Sequence, residues 1–161
     1  MSDISARAGV LADLLQKRGF FISTAESCTG GLIGHLLTNE AGSSAWYAGG
    51  VVAYSNALKK NILGVSDEII DMHGAVSSEC VSSMVKGLTD LTRAQAGIAV
   101  SGIAGPGGGT SDKPVGTVFI AWKVQNRSWW ERYCFQGSRL EIKSQTAAQA
   151  VEGVIKYLSE T

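Results

Sequence analysis

The sequence predicts an α/β fold: a three-layer α/β/α sandwich around a mixed, mostly parallel sheet. Three observations point there. Helical and strand-like periodicities alternate through the first hundred residues, two long strands then lie only four residues apart, and a helix closes the chain. Alternation favours parallel strands joined by helical crossovers, and the close pair reads as an antiparallel hairpin. No repeat, low-complexity tract or linker interrupts the pattern, and 161 residues suit one domain spanning 1–161.

The elements follow in order. Ile4, Ala8, Leu11 and Leu15 share a helical face, and Gly19 is placed to end that helix. Phe20–Thr24 reads as a strand, and a second helix is expected to start near Ser27 and run through Leu32, Ile33, Leu36 and Leu37. Gly49–Ser55 reads as the next strand, with Asn56 the expected N-cap of a helix over Ala57–Leu63. Ser66 and Ser77 are further N-cap candidates, and Val81, Met84, Val85, Leu88 and Leu91 form a stripe after Ser77. Gly97–Ser101 is a short apolar run of buried-strand type. A glycine-rich loop, Gly102–Thr110, precedes two strands, Val115–Val124 and Trp129–Phe135. The last helix opens with a capping box, Ser138 with Glu141, and carries a stripe of Ala147, Val151, Val154 and Leu158.

Composition excludes several classes. Fourteen basic residues balance fourteen acidic ones, which argues against a duplex nucleic-acid binder. Asp3 and Asp13 interrupt the first eighteen residues in a way a signal peptide does not tolerate, and no window reaches the length of a membrane span. Cys28, Cys80 and Cys134 are odd in number and widely spaced, so neither a disulfide framework nor a thiolate metal site is indicated; a cytoplasmic protein with reduced thiols is expected. Two scattered histidines, His35 and His73, support no metal site. The 20 glycines are in excess, at about 12% against an average near 7%. With only two prolines, the excess belongs to folded loops.

Three segments place loop-type residues against apolar strands. Thr24-Ala-Glu-Ser27-Cys28-Thr29-Gly30-Gly31 lies where a strand gives way to a helix, so backbone N–H groups converge on the turn. A Ser or Cys there can attack a carbonyl while backbone donors hold the oxyanion; equally, Ser27 can be a plain N-cap. Tyr54-Ser-Asn-Ala-Leu-Lys59 leads from a strand into a helix, and Lys59 is a general-base candidate only if burial depresses its pKa; otherwise it is a solvated charge. The loop Gly102–Gly109, closed by Lys113-Pro114-Val115-Gly116, allows amides to crowd onto an anion such as phosphate, or simply connects strands. It matches neither a Walker loop nor a dinucleotide fingerprint.

Together these segments, with Ala41-Gly-Ser-Ser-Ala-Trp46 and His73-Gly-Ala-Val-Ser77, resemble the CinA C-terminal domain family in content, order and spacing from about Leu11 to Leu158. The resemblance implies a stand-alone amidohydrolase that converts nicotinamide mononucleotide to nicotinate mononucleotide and ammonia, without a cofactor. It implies Ser27 as nucleophile, activated by Lys59, with Tyr54 orienting the pair. By the same resemblance Cys28, Thr29, Gly30, Gly31, Ser101, Gly102, Ala104, Gly105, Gly107, Gly108 and Arg139 bind substrate, with Arg139 or Lys143 as cation for the phosphate. Two positions depart from the family's pattern: Lys143, where many relatives carry Arg, and Gly107, where many carry Asp. Cys28 is the rival nucleophile. A homo-oligomer is implied by the resemblance alone. The alternatives are a non-catalytic nucleotide-binding or regulatory module, or a partner of a molybdopterin-binding-like protein.

Overall fold

The computed structural model describes residues 2–161, with side chains from Ala6 onward. Ile4, expected on the first helix's buried face, therefore lies outside the described side chains. Five strands form one sheet: β1 Ile22–Glu26, β2 Tyr47–Val52, β3 Ala96–Gly102, β4 Thr117–Val124 and β5 Arg127–Cys134. Their order is β2-β1-β3-β4-β5. β1 pairs in parallel with β2 and β3, and β4 pairs antiparallel with β3 and β5, so β4 alone runs against the other four. The mixed, mostly parallel sheet expected from the alternation is what forms.

Six helices complete the layers: α1 Ser2–Arg18, α2 Leu32–Thr38, α3 Asn56–Leu63, α4 Asp67–His73, α5 Ser78–Thr92 and α6 Arg139–Glu160. On one face Leu11, Leu15, Ile33, Leu37, Val151 and Val154 pack on Ile22, Ile98, Ile120 and Trp122. On the other, Leu63, Met84, Val85 and Leu88 pack on Ala25, Ala99, Phe119 and Ala121. Strand alternation divides the two sets: Ile98 and Val100 serve the first layer and Ala99 between them the second. Small residues on the α5 side let that helix lie close to the sheet. Trp122, buried under α6, donates its indole N–H to Ala150 O at 2.7 Å, so its one polar atom is satisfied.

Caps account for most element boundaries. Ser66 and Ser77 cap α4 and α5 as expected, and Ser138 with Glu141 forms the full capping box of α6. The cap of α3 is Ser55, whose hydroxyl accepts from Leu58 N, rather than the expected Asn56. α2 begins at Leu32 instead of near Ser27, because Gly30 and Gly31 take positive φ (62° and 99°) and hold residues 27–31 in a turn. β1 lies two residues later than expected, since the Phe20 amide closes α1 by donating to Leu15 O. β2 is offset the other way, at Tyr47–Val52 rather than Gly49–Ser55, and Leu91 is exposed at the end of its stripe. The hairpin turn shrinks to Gln125 and Asn126, with Gln125 left-handed. Among the described residues no helix is long and apolar enough to cross a membrane, and no group of three or more side chains could hold a metal ion.

Candidate active site

The strand order reverses at β1: the chain reaches β2 through α2 on one face, then reaches β3 through α3, α4 and α5 on the other. Crevices at such switch points, beyond the carboxyl ends of the strands, are the standard ligand sites of open α/β sheets. A pocket of about 220 Å³ lies there, lined by Ser27, Cys28, Tyr54, Asn56, Lys59, Ala75, Val76, Ser101, Gly102, Ala104 and Arg139.

Ser27 follows directly on β1, and its amide donates to Val100 O of the neighbouring strand at 3.1 Å. Its Oγ lies 2.9 Å from Lys59 Nζ. Lys59 also donates to Ala53 O at 2.9 Å and Tyr54 O at 3.1 Å, the carbonyls of the bend that leads into its own helix. The side chain is only 1% exposed. Among the described residues it has no carboxylate partner, and its burial holds the amine below the ordinary lysine range. The three neighbours decide what a neutral amine does here. Carbonyls only accept, so the two remaining N–H groups go to Ala53 and Tyr54, and the lone pair is left facing the Ser27 hydroxyl. Burial moves the Lys59 amine in the direction that a general base requires. The same desolvation has the opposite consequence at Cys28. It is buried, and desolvation foremost pushes its thiol up to about 12, which keeps the thiolate scarce.

The turn after Ser27 is organised by a residue that had no expected role. Glu26, 2% exposed, accepts from Thr29 Oγ1 at 2.6 Å, Gly31 N at 3.1 Å, Ile33 N at 3.0 Å and Gly34 N at 2.8 Å. The amino end of α2 therefore faces an internal carboxylate. Gly30 N donates to Ser27 O at 3.0 Å. Of the amides in this turn, those of Cys28 and Thr29 have no hydrogen bond to another residue, and of the two only Cys28 lines the pocket.

Arg139, at the first position of α6, spans the mouth of the pocket. It donates to Gly105 O at 2.7 Å and to the Tyr54 hydroxyl at 3.1 Å. Lys143, one turn further along α6, places Nζ 3.7 Å from where a Cβ on Gly30 would stand. Lys113 donates to His73 O and Val76 O, tying the glycine-rich loop to the wall that holds Ala75 and Val76.

Of the expected site residues, Ser27, Cys28, Tyr54, Lys59, Ser101, Gly102, Ala104 and Arg139 meet in the pocket. Thr29, Gly30, Gly31, Gly105, Gly107 and Gly108 do not line it: Thr29 and Gly31 serve Glu26, and Gly107 has open space around it. Tyr54 meets Lys59 through its backbone carbonyl, while its phenol turns to Arg139. Asn56, Ala75 and Val76 were not anticipated, although all three fall inside the Tyr54–Lys59 and His73–Ser77 motifs.

A doubly wound α/β domain with a buried hydroxyl–amine pair at its switch point is the class of protein that fold and site define. The chain belongs to the CinA C-terminal domain family, whose model matches residues 5–158. It is 49% identical to a CinA-like protein of Thermotoga neapolitana over 151 residues, 94% of this chain but 37% of that protein, so it spans little more than a third of such relatives. It is also 42% identical over 160 residues to a Pseudomonas putida protein named nicotinamide-nucleotide amidohydrolase PncC, covering 99% of this chain and 100% of that one. Among solved structures, a Klebsiella pneumoniae competence damage-inducible protein A superposes with a TM-score of 0.94 at 36% identity, over 97% of each chain. A competence/damage-inducible protein from Agrobacterium tumefaciens gives a TM-score of 0.92 at 41% identity, over 98% of this chain and 96% of that one.

Proposed function

We propose that the chain hydrolyses the carboxamide of nicotinamide mononucleotide to the carboxylate and ammonia, with Ser27 as nucleophile and Lys59 as general base. The observation that carries the reading is the 2.9 Å contact between Ser27 Oγ and a buried Lys59 Nζ held otherwise by carbonyls alone. The Pseudomonas putida relative supports the choice of amide.

Neutral Lys59 takes the Ser27 proton as Oγ bonds to the carboxamide carbon. The Cys28 amide, at the pocket wall, holds the oxyanion. Lys59 then returns the proton to the leaving nitrogen, and ammonia departs, leaving an ester on Ser27. Water, deprotonated by Lys59, attacks that ester, and the nicotinate nucleotide leaves as Ser27 regains its hydrogen. Tyr54 steadies Lys59 through its carbonyl, and Asn56 and Ser101 offer polar contacts to the amide. Arg139 has five N–H donors and meets two acceptors, Gly105 O and the Tyr54 hydroxyl, which leaves donors for the ribose phosphate beside Lys143. The scheme uses no cofactor and suits a cytoplasmic enzyme acting on a small nucleotide.

Ammonia release from nicotinamide mononucleotide by the purified protein tests the reading. Ser27→Ala should abolish it, while Cys28→Ala still turns over; the reverse pattern would make the thiol the nucleophile. Nucleotide binding with no ammonia from the wild type would favour the non-catalytic module instead.

A further inference from the structure

We infer that Glu26 is a positioning residue for the nucleophile, holding the Ser27–Gly30 turn in the one shape that leaves the Cys28 amide to the substrate. The inference rests on the reading of Ser27 as nucleophile. A carboxylate as buried as Glu26 is costly unless its oxygens are hydrogen-bonded. Here Oε2 takes Thr29 Oγ1, Gly31 N and Ile33 N, and Oε1 takes Gly34 N. Among the described residues no cation pairs with it. Its charge is met instead by a hydroxyl and by the amino end of α2, whose N-cap Gly31 supplies no side chain of its own.

These contacts close a ring. The chain leaves β1 at Glu26, runs through Ser27, Cys28, Thr29 and Gly30, and returns at Gly31 to the Glu26 carboxylate. Inside the ring Ser27 N is fixed to Val100 O and Gly30 N to Ser27 O. Glu26 thereby decides which amide faces the pocket, and where Ser27 Oγ stands relative to Lys59. A glutamine in its place matches the shape, but its amide group presents N–H to at least one of the N–H donors now bound. The turn must then relax. Displacements near an ångström in such groups cost rate while leaving affinity for the rest of the substrate in place.

The test compares Glu26→Gln, Thr29→Val and Thr29→Ser with the wild type in the intact chain. Two quantities are read per folded molecule: kcat and KM for nicotinamide mononucleotide, and the rate at which phenylmethylsulfonyl fluoride labels Ser27, followed by mass. Expected for Glu26→Gln is a fall in kcat of roughly ten- to a hundred-fold with KM within about threefold, and slower labelling of Ser27. Thr29→Val, which removes only the 2.6 Å bond, should fall part of the way, and Thr29→Ser should recover most of that loss. Thr29→Val decides the matter should Glu26→Gln not fold. Variants that melt earlier yet turn over and label at wild-type rates would make Glu26 a purely structural residue and overturn the inference. A wild type that labels at Ser27 but releases no ammonia overturns the substrate, and the labelling ratios still judge Glu26. A wild type that does neither overturns both.

Discussion

Replacing Gly87 by alanine should slow the reaction from a position that touches neither Ser27 nor Lys59. Gly87 lies inside α5, where alanine is intrinsically better than glycine by about 1 kcal/mol. The space its side chain would take is filled by the end of α3: a Cβ there stands 1.8 Å from Leu63 O and 2.6 Å from Leu63 C. Both are backbone atoms and cannot rotate aside. To reach even 3.0 Å, α3 must retreat by roughly 1.2 Å, because packed interiors hold no slack of that size. Lys59 is one turn upstream on the same helix, and its Nζ contact to Ser27 Oγ is 2.9 Å long. A retreat of that size carries the pair past hydrogen-bonding reach. Over-packing costs about 1–3 kcal/mol and outweighs the helix gain. The expected variant is less stable by up to about 2 kcal/mol in urea unfolding, with kcat for ammonia release down on the order of 100-fold. A variant that is stabilised, with kcat unchanged, would refute the idea that α5 sets the position of Lys59.

Four further outcomes are expected. Because burial lowers the Lys59 pKa below its ordinary 10.5 and the neutral amine is the active form, kcat/KM should rise with pH through a midpoint below 10.5. The same shift means the folded state resists protonating Lys59, so that stability cost is fully present below the folded pKa and fades as pH climbs toward 10.5. The stability difference between wild type and an inactive Lys59→Met variant, read by urea unfolding across that window, should move in the wild type's favour as pH rises; a flat difference would contradict a depressed pKa. Arg139→Lys should raise KM by roughly tenfold with a smaller change in kcat, since one ammonium cannot serve Gly105 O, the Tyr54 hydroxyl and a phosphate together; unchanged saturation kinetics would place the phosphate elsewhere. Within the glycine-rich loop, Gly107→Ala should fold and melt like wild type because nothing lies within 4 Å of the new Cβ. Gly102→Ala, 2.8 Å from Thr117 O and 2.6 Å from Val118 Cγ2, should lose about 1–3 kcal/mol by thermal unfolding, and equal melting of the two variants would contradict this packing.

The sequence exposes features whose partners are close in the chain. Ser66, Ser77 and the Ser138–Glu141 box cap helices a few residues away, and the stripes of α5 and α6 repeat at a fixed period. Ser27 and Lys59 are visible as candidates near strand-to-helix junctions, but their partnership spans 32 residues and is legible only through the family resemblance. Glu26 does not stand out, because in sequence it is an acid at the end of a buried strand, and its donors belong to a helix whose start two glycines conceal. Asn56 sits beside a better cap, Ser55, and only the fold frees its side chain to face the pocket. The glycine excess misleads in one respect. Gly30, Gly31, Gly107 and Gly108 shape turns outside the pocket rather than lining it, and steric need, which composition cannot report, separates them from Gly102.

Ser27 and Lys59 are each held by their own short stretch of chain, Ser27 by the ring from Glu26 to Gly34 and Lys59 by the carbonyls of Ala53 and Tyr54. What aligns the two stretches is the β1–β2 ladder, whose last rung is the Ala53 amide donating to Glu26 O at 2.9 Å, just past the pairing of Glu26 with Val52. The reactive distance is thus a property of strand register. Val100 O holds the Ser27 amide and α5 backs the end of α3, so an enzyme designer has to carry that register together with both supports, whereas grafting the serine and lysine alone transplants only their names.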